Sequence, residues 1–180
     1  TQKLANSTVN QRLAALKSYL KYVSDGDIGL MQVYMAVQKV PLLKIPKLQR
    51  PVMEKDELKA FLAEPGNTKA GRRDQVLLAL LYDTAIRVSE LTGIVLGDMN
   101  LSTKNVSIVI RGKGKKNRSV VLNKKCADLV KNYVLHYHEP DASPDTPLFY
   151  TMIHGKMNHM SQRNVGRIVK KYGDRVRKEY

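Results

Sequence analysis

Two short stretches of the sequence combine residue types that can act on a phosphodiester. The first, Thr84 to Leu91, places Arg87 three residues before Glu90. An arginine grips phosphate oxygens through two parallel hydrogen bonds and keeps its charge at any physiological pH. The second stretch, Gly112 to Arg118, is a basic turn that contains glycines. A lysine in it, such as Lys113, can protonate a departing oxygen if neighbouring cations lower its pKa.

The pattern around Arg87 predicts that a helix begins there. Residues 71–82 include an unbroken apolar run, residues 76–81, which is typical of a centrally buried helix. Residues 83–85 interrupt the run, and we expect Thr84 to cap the next helix. The buried face of that helix would consist of Val88, Leu91 and Val95. Arg87 would then lie in the first turn, where free backbone amides add to its field.

The basic turn is flanked by two runs of β-branched residues, 106–110 and 119–122. Such runs around a glycine-bearing turn predict a β-hairpin, with Lys113 at its tip. Further helices are predicted at 7–24, 28–40, 125–138 and 161–180, and a short strand at 148–150. In the last helix, Val165, Ile168, Val169, Tyr172 and Val176 are expected to point inward. The fold class is therefore α+β, mainly helical, with a small hairpin sheet.

Three prolines between Val40 and Pro51 predict an extended linker, which we place at 46–52. It would separate a helical domain, 1–45, from a larger domain, 53–180. In the first helix, Val9, Leu13, Leu16, Leu20 and Val23 form an apolar stripe. The polar residues beside that stripe, Asn10, Lys17 and Lys21, can face either phosphates or solvent.

The charge of the chain indicates a polyanionic partner. It has 31 Lys and Arg against 16 Asp and Glu, a formal net charge of +15, which favours nucleic acid. No run approaches the length of a membrane span, so a cytoplasmic location without membrane contact is the expectation. The single cysteine, Cys126, excludes an internal disulfide and a zinc-binding cysteine cluster.

Together the two stretches resemble the tyrosine recombinase family, also called the phage integrase family. Thr84-Ala85-Ile86-Arg87-Val88-Ser89-Glu90-Leu91 is similar to its T-G-L-R-x-S-E-L box, and 112–118 to its G-K-G-x-K-x-R hairpin. The order, the spacing and the hairpin all agree. The resemblance covers about residues 50–180 and implies a catalytic domain that is incomplete here. Residues 1–48 resemble, less specifically, the later helices of the family's helical core-binding domain.

The resemblance implies a role for each matched residue. Arg87 would bind the scissile phosphate, and Lys113 would act on the leaving oxygen. From its spacing alone, Glu90, one helical turn after Arg87, would either hold the Arg87 side chain in place or form an ordinary surface pair with it. The reaction would cut double-stranded DNA and rejoin it through a 3′-phosphotyrosine, together with other recombinase protomers. Because the phosphodiester energy is stored in that bond, no metal, ATP or other cofactor is expected. The residues expected to contact DNA are Lys17, Lys21, Lys47, Arg50, Lys115, Lys116 and Arg118.

The sequence departs from the family pattern in several places. Ala85 and Ile86 replace glycine and leucine, and Val121 stands where proline is frequent. We treat these as mild, because no left-handed backbone is evidently required at Ala85. No H-x-x-R box is found and no tyrosine lies in the family's nucleophile context. We therefore expect the natural protein to continue beyond both ends, and the four histidines to have structural or surface roles.

Two other functions are compatible with part of the sequence. A non-catalytic DNA-binding regulatory module with the same fold would need no nucleophile. A basic RNA-binding protein would explain the charge, although not the paired stretches. The glycine turn is not a nucleotide site, because no Ser or Thr follows Lys113 and a strand, not a helix, comes next.

Overall fold

The computed structural model describes residues 4–47, 52–102, 104–112 and 116–179, with the side chains of 178 and 179 excepted. The chain divides into two compact units, Thr1–Val52 and Met53–Tyr180. We call them the N-terminal unit and the C-terminal unit. The division falls at the end of the proline-containing segment 46–52.

The N-terminal unit consists of two helices and the extended segment that follows them. Helix α1 spans Asn6–Ser24, a 3-10 turn spans Ile28–Leu30, and α2 spans Met31–Gln38. The two predicted helices are therefore confirmed. Most of the predicted stripe on α1 is partly buried, but Leu16 is 47% exposed. The extended segment returns along α1, since the Asn10 side chain exchanges two hydrogen bonds of 2.9 Å with the Leu43 backbone.

The C-terminal unit is mainly helical, and its helices begin at polar caps. The Thr68 hydroxyl accepts a hydrogen bond from the Gly71 amide, and the Asn123 side chain accepts one from the Cys126 amide. Asn123 also donates from its backbone and side chain to Asp83, which joins α6 to the end of α4. The helices are α3 (Lys55–Ala63), α4 (Lys69–Thr84), α5 (Val88–Thr92), α6 (Lys124–Tyr137) and α7 (Gln162–Glu179).

Two small antiparallel sheets complete this unit among the described residues. In the first, β2 (Ser107–Arg111) lies between β1 (Met99–Asn100) and β3 (Asn117–Val121). The β2–β3 register pairs Ile110 with Arg118 and Arg111 with Asn117. The predicted hairpin is thus confirmed. The second sheet pairs β4 (Tyr150–Ile153) with β5 (Lys156–His159).

One hydrophobic core joins the helices to the first sheet. Helix α4 supplies Val76, Leu77, Leu78 and Leu80, and β2 supplies Ile108 and Ile110, all almost completely buried. Helix α7 covers this core with Val165, Ile168 and Tyr172, and Val176 is buried further along the same helix. Such continuous burial along α4 is what the apolar run predicted.

Several sequence-based expectations about local structure are wrong. The strand expected at 148–150 begins only at Tyr150, because Leu148 and Phe149 are buried in the core and the Leu148 amide donates to the Ile94 carbonyl. Val169 is 37% exposed, because it lies at the edge of the buried stripe of α7. Thr84 was also expected to cap the next helix, but it is the last residue of α4.

Candidate phosphate-binding site

A left-handed turn between α4 and α5 positions Arg87. Thr84 is the last residue of α4, and its hydroxyl donates to the Leu80 carbonyl instead of capping the following helix. Ala85 then adopts φ 48° and ψ 30°, the left-handed conformation. Ile86 is buried in the core, and α5 begins two residues later at Val88. The expectation that Ala85 needs no left-handed backbone is therefore wrong, and the position is one that favours glycine.

Arg87 is the residue that immediately precedes α5 and begins it. Its backbone is extended, and its amide donates to Glu90 Oε2 at 2.9 Å. A carboxylate that accepts this amide stabilises the helix start. The predicted buried face is only partly correct, because α5 ends at Thr92 and Val95 lies beyond it. The Arg87 side chain is 77% exposed, so its guanidinium is available to a ligand.

Glu90 is shared between two arginines. Arg87 Nη1 donates to Glu90 Oε1 at 3.1 Å. Arg118, on β3, donates to both carboxylate oxygens, from Nη2 to Oε2 at 2.8 Å and from Nη1 to Oε1 at 3.2 Å. The carboxylate itself is only 6% exposed. The hydrogen bonds from the Arg118 side chain and the Arg87 amide lower the pKa of Glu90 to about 2, so it is charged at neutral pH.

The Arg118 contact joins the hairpin to the Arg87 segment. Arg118 lies on β3 two residues after Lys116, and Glu90 lies on α5 one turn after Arg87. A bidentate arginine–carboxylate pair fixes both partners in orientation as well as distance. The two stretches recognised in the sequence therefore meet in the fold at their described residues.

The tip of the hairpin is closed by the backbone. The Gly112 amide donates to the Lys116 carbonyl at 2.9 Å. A Cβ atom at Gly112 would lie 2.7 Å from that carbonyl oxygen, closer than real Cβ atoms approach. This position therefore requires glycine. Two predicted site residues, Lys113 and Lys115, lie between these closing residues and outside the described part of the chain.

A second ion pair, which was not predicted from the sequence, anchors the other strand of the hairpin. Arg111 ends β2 and donates to Asp98 Oδ1 from Nε at 2.9 Å and from Nη2 at 2.7 Å. Asp98 is 5% exposed and also accepts from the Val95 amide. Both described strands that lead to the tip are thus fixed by a buried carboxylate. The only sequence signal for the Arg111–Asp98 pair is that Arg111 lies next to Gly112.

The structure places the predicted DNA-contacting residues of the N-terminal unit in different surroundings. The Lys17 ammonium donates to the carbonyls of Gln38 and Val40, at 3.1 and 2.8 Å, and so satisfies the end of α2. Lys21 and Lys47 are exposed. Arg50 lies outside the described residues. Of the lysines predicted in the hairpin, the described Lys116 is exposed.

Three of the histidines have identifiable structural contacts. His136 Nδ1 lies 2.8 Å from the Asn132 carbonyl, and His159 Nδ1 lies 2.8 Å from the Thr92 carbonyl at the end of α5. His138 is buried, with Nε2 3.1 Å from the Leu148 carbonyl. The pKa of His138 is lowered by desolvation. These contacts agree with the structural roles expected from the sequence.

Two buried tyrosines serve the core. The Tyr172 hydroxyl donates to Asp74 Oδ2 at 2.9 Å and joins α7 to α4, and burial together with this contact raises its pKa to about 12. Burial also raises the pKa of Tyr133.

Within the described ranges, no three His, Cys, Asp or Glu residues cluster as metal ligands. Across the same ranges, no helix is long and apolar enough to cross a membrane.

Comparison with known proteins agrees with the geometry. Residues 51–180 match the sequence model of the phage integrase family. The tyrosine recombinase XerC of Thermodesulfovibrio yellowstonii is 33% identical over 175 residues, which cover 93% of this chain and 55% of the relative. The tyrosine recombinase XerA of Pyrococcus horikoshii is 32% identical over 169 residues, covering 94% of this chain and 53% of the relative. The chain thus spans about half the length of these curated relatives.

Solved structures share the fold at lower sequence identity. The crystal structure of XerA recombinase superposes with a TM-score of 0.60 at 18% identity, covering 91% of this chain and 61% of that chain. The Tn1549 transposon integrase in complex with a circular intermediate DNA gives a TM-score of 0.65 at 15% identity, covering 95% and 60%. The matched family model, the identities above 30% and the paired Arg87 and hairpin segments show that this chain belongs to the phage integrase family of tyrosine recombinases.

Proposed function

We propose that this chain is a DNA-binding part of a tyrosine site-specific recombinase, which cuts and rejoins double-stranded DNA through a 3′-phosphotyrosine. Arg87 binds the scissile phosphate, Lys113 protonates the leaving 5′ oxygen, and Glu90 orients Arg87. The nucleophilic tyrosine is not in this chain. The chemistry uses no metal or ATP, and other protomers take part on the DNA. The recombinase acts in the cytoplasm.

One observation carries the proposal most directly, the bridge that Glu90 makes between Arg87 and Arg118. It joins the segment that carries Arg87 to the strand that leaves the Lys113 turn. A phosphate placed at the exposed Arg87 guanidinium is therefore near the base of the hairpin. Developing negative charge on its oxygens is stabilised by a cation that needs no reorganisation.

The basic surface supports DNA as the ligand. The net charge of +15 favours a polyanion. Solved relatives are also informative, since XerH recombinase is bound to its difH substrate and the Tn1549 integrase to DNA. We assign phosphate contacts to Lys21, Lys47, Arg50, Lys115 and Lys116. Lys17 and Arg118 were predicted to do the same, but their charged groups have intramolecular partners.

The binding part of the proposal is tested by the salt dependence of the affinity for duplex DNA. The association constant should fall steeply with salt, by roughly 0.9 in log K per log unit of salt for each phosphate neutralised. Arg87→Gln should make this slope shallower by about 0.9, because one phosphate contact is lost. Lys59→Gln is the matched control, since this exposed lysine pairs with Asp56 on α3. A wild-type affinity that does not respond to salt would reject DNA binding through phosphates.

The chemical part is tested by supplying the missing nucleophile. The chain is fused to the C-terminal segment of a related XerC and incubated with a nicked suicide substrate. A covalent protein–DNA adduct is expected, and Arg87→Ala should abolish it. An adduct that survives this change would remove Arg87 from the site. The alternative, a non-catalytic DNA-binding regulatory module, rests on the absence of any tyrosine in the family's nucleophile context, and it predicts salt-dependent binding without an adduct.

A further inference from the structure

Glu90 makes more hydrogen bonds with the Arg118 side chain than with the Arg87 side chain, and this difference affects how available Arg87 is to a ligand. Arg118 makes two hydrogen bonds to the carboxylate, one on each oxygen. The Arg87 side chain makes a single hydrogen bond of 3.1 Å, and its other contact with Glu90 comes from the backbone amide. A bidentate pair between planar groups is the strongest arrangement available to arginine and carboxylate.

The two arginines also differ in exposure. The Arg87 side chain is 77% exposed, whereas that of Arg118 is 45% exposed and that of Glu90 only 6%. The buried charge of Glu90 therefore has its main partner on the hairpin, and the Arg87 guanidinium keeps donors directed toward solvent. The depressed pKa of Glu90 agrees with this, since its first cause is the hydrogen bond from Arg118.

We infer that Arg118 is a positioning residue that neutralises Glu90 and so leaves Arg87 free to bind a phosphate, instead of binding a phosphate itself. The inference rests on the proposed function of Arg87. Without Arg118, the carboxylate would hold the Arg87 guanidinium and would repel an approaching phosphate. Glu90 could then still begin α5 through the Arg87 amide, but the site would lose its cation.

The test is a double-mutant cycle on the salt slope of duplex binding, measured with this chain and a short duplex of random sequence. If Arg118 acts through Arg87, then Arg118→Gln, Arg87→Gln and the double variant should each make the slope shallower by about the same 0.9. If Arg118 binds its own phosphate, the losses should add to about 1.8 in the double variant. Additive losses, or an unchanged slope in Arg118→Gln, would overturn the inference.

Two further variants separate this role from a merely structural one. Arg118→Gln combined with Glu90→Gln removes the competing charge, while the glutamine oxygen can still accept the Arg87 amide. The wild-type slope should return in this variant, although a structural defect would persist or worsen. Arg118→Lys keeps a cation beside Glu90 and should also retain the wild-type slope. Failure of either rescue would overturn the inference.

Folding and the proposed function are controlled separately. Urea unfolding should show a cooperative transition for each variant. If Arg118→Gln alone does not fold, Arg118→Gln combined with Glu90→Gln provides the test, because its slope should equal that of the wild type if Arg118 acts through Glu90 and should be shallower by about 0.9 if Arg118 binds its own phosphate. Lys116→Gln serves as an additive control, because Lys116 is exposed on the same hairpin. Its loss should add to that of Arg87→Gln, to about 1.8. A salt-independent affinity of the wild-type chain would overturn the proposed function itself and this inference with it.

Discussion

Glu90 combines three tasks in one carboxylate. It accepts the Arg87 amide and so begins α5, it contacts the Arg87 guanidinium, and it fixes Arg118 on the hairpin. The sequence predicted the Arg87 contact from the three-residue spacing. It did not predict the Arg118 contact, because the two residues are 28 positions apart and only the folded hairpin brings them together. Local spacing therefore predicted the contact of Glu90 with Arg87 but not its contact with Arg118.

Ala85 has an unfavourable backbone conformation, which a single substitution should relieve. Its φ of 48° is unfavourable for a residue with a Cβ atom. Ala85→Gly should therefore increase the free energy of unfolding by about 1 kcal/mol. Ala70→Gly is the matched control, because Ala70 is an exposed residue within α4. It should decrease the free energy by about 0.5–1 kcal/mol. Urea unfolding measures both, and a destabilised Ala85→Gly variant would contradict the left-handed conformation.

His138 should make the fold sensitive to acid. Its Nε2 faces the Leu148 carbonyl, and among the described residues nothing hydrogen-bonds its buried Nδ1. Because desolvation lowers the pKa of His138 in the folded state, the unfolded chain binds a proton at higher pH. This contribution to stability is present above the unfolded pKa of about 6.5 and is lost as the pH falls through the folded value.

His138→Gln should weaken that dependence, because the glutamine Nε2 can still donate to the Leu148 carbonyl and cannot be protonated. The measurement is the thermal midpoint of wild type and variant at pH 7.5 and at pH values below 6. The difference between the two proteins should narrow as the pH falls. Parallel curves would show that His138 is not responsible for any acid sensitivity.

The hairpin shows which features of an element can be inferred from sequence. Two β-branched runs around a basic glycine turn predicted β2 and β3 within one or two residues, because backbone preferences are local. The ion pairs that hold the strands, Arg111 with Asp98 and Arg118 with Glu90, involve residues far apart in the chain. Likewise, the left-handed turn at Ala85 was missed, because an alanine in helical surroundings carries no signal of its own.

The closed tip of the hairpin should not tolerate a side chain at Gly112. Gly112→Ala would bring Cβ against the Lys116 carbonyl oxygen and open the tip, at a cost of about 1–3 kcal/mol for overpacking. Because the tip opens, amide hydrogen exchange at residue 112 should be faster in this variant than in the wild type. Gly166→Ala is the matched control, since nothing lies within 4 Å of a Cβ at this position of α7. It should stabilise the chain by about 0.5–1 kcal/mol. Equal effects at both positions would contradict the closed tip.

At the scale of the whole molecule, the sequence was most informative about class and least informative about contacts. The paired stretches predicted the family, and the match over residues 51–180 bears this out. The predicted mainly helical α+β fold is confirmed as well. The roles of the individual site residues stay predictions, and so does the participation of further protomers. The chain spans about half the length of its curated relatives, so these roles stay within the proposal.

The central claim is that Arg87 and Lys113 engage one and the same phosphate. It is tested most directly by a crystal structure of the chain with a duplex that carries a nick. The account predicts an Arg87 guanidinium nitrogen and the Lys113 ammonium nitrogen each within about 3.2 Å of oxygens on a single backbone phosphate. Lys113 directed away from the phosphate that Arg87 binds, or the two residues bound to separate phosphates, would contradict it.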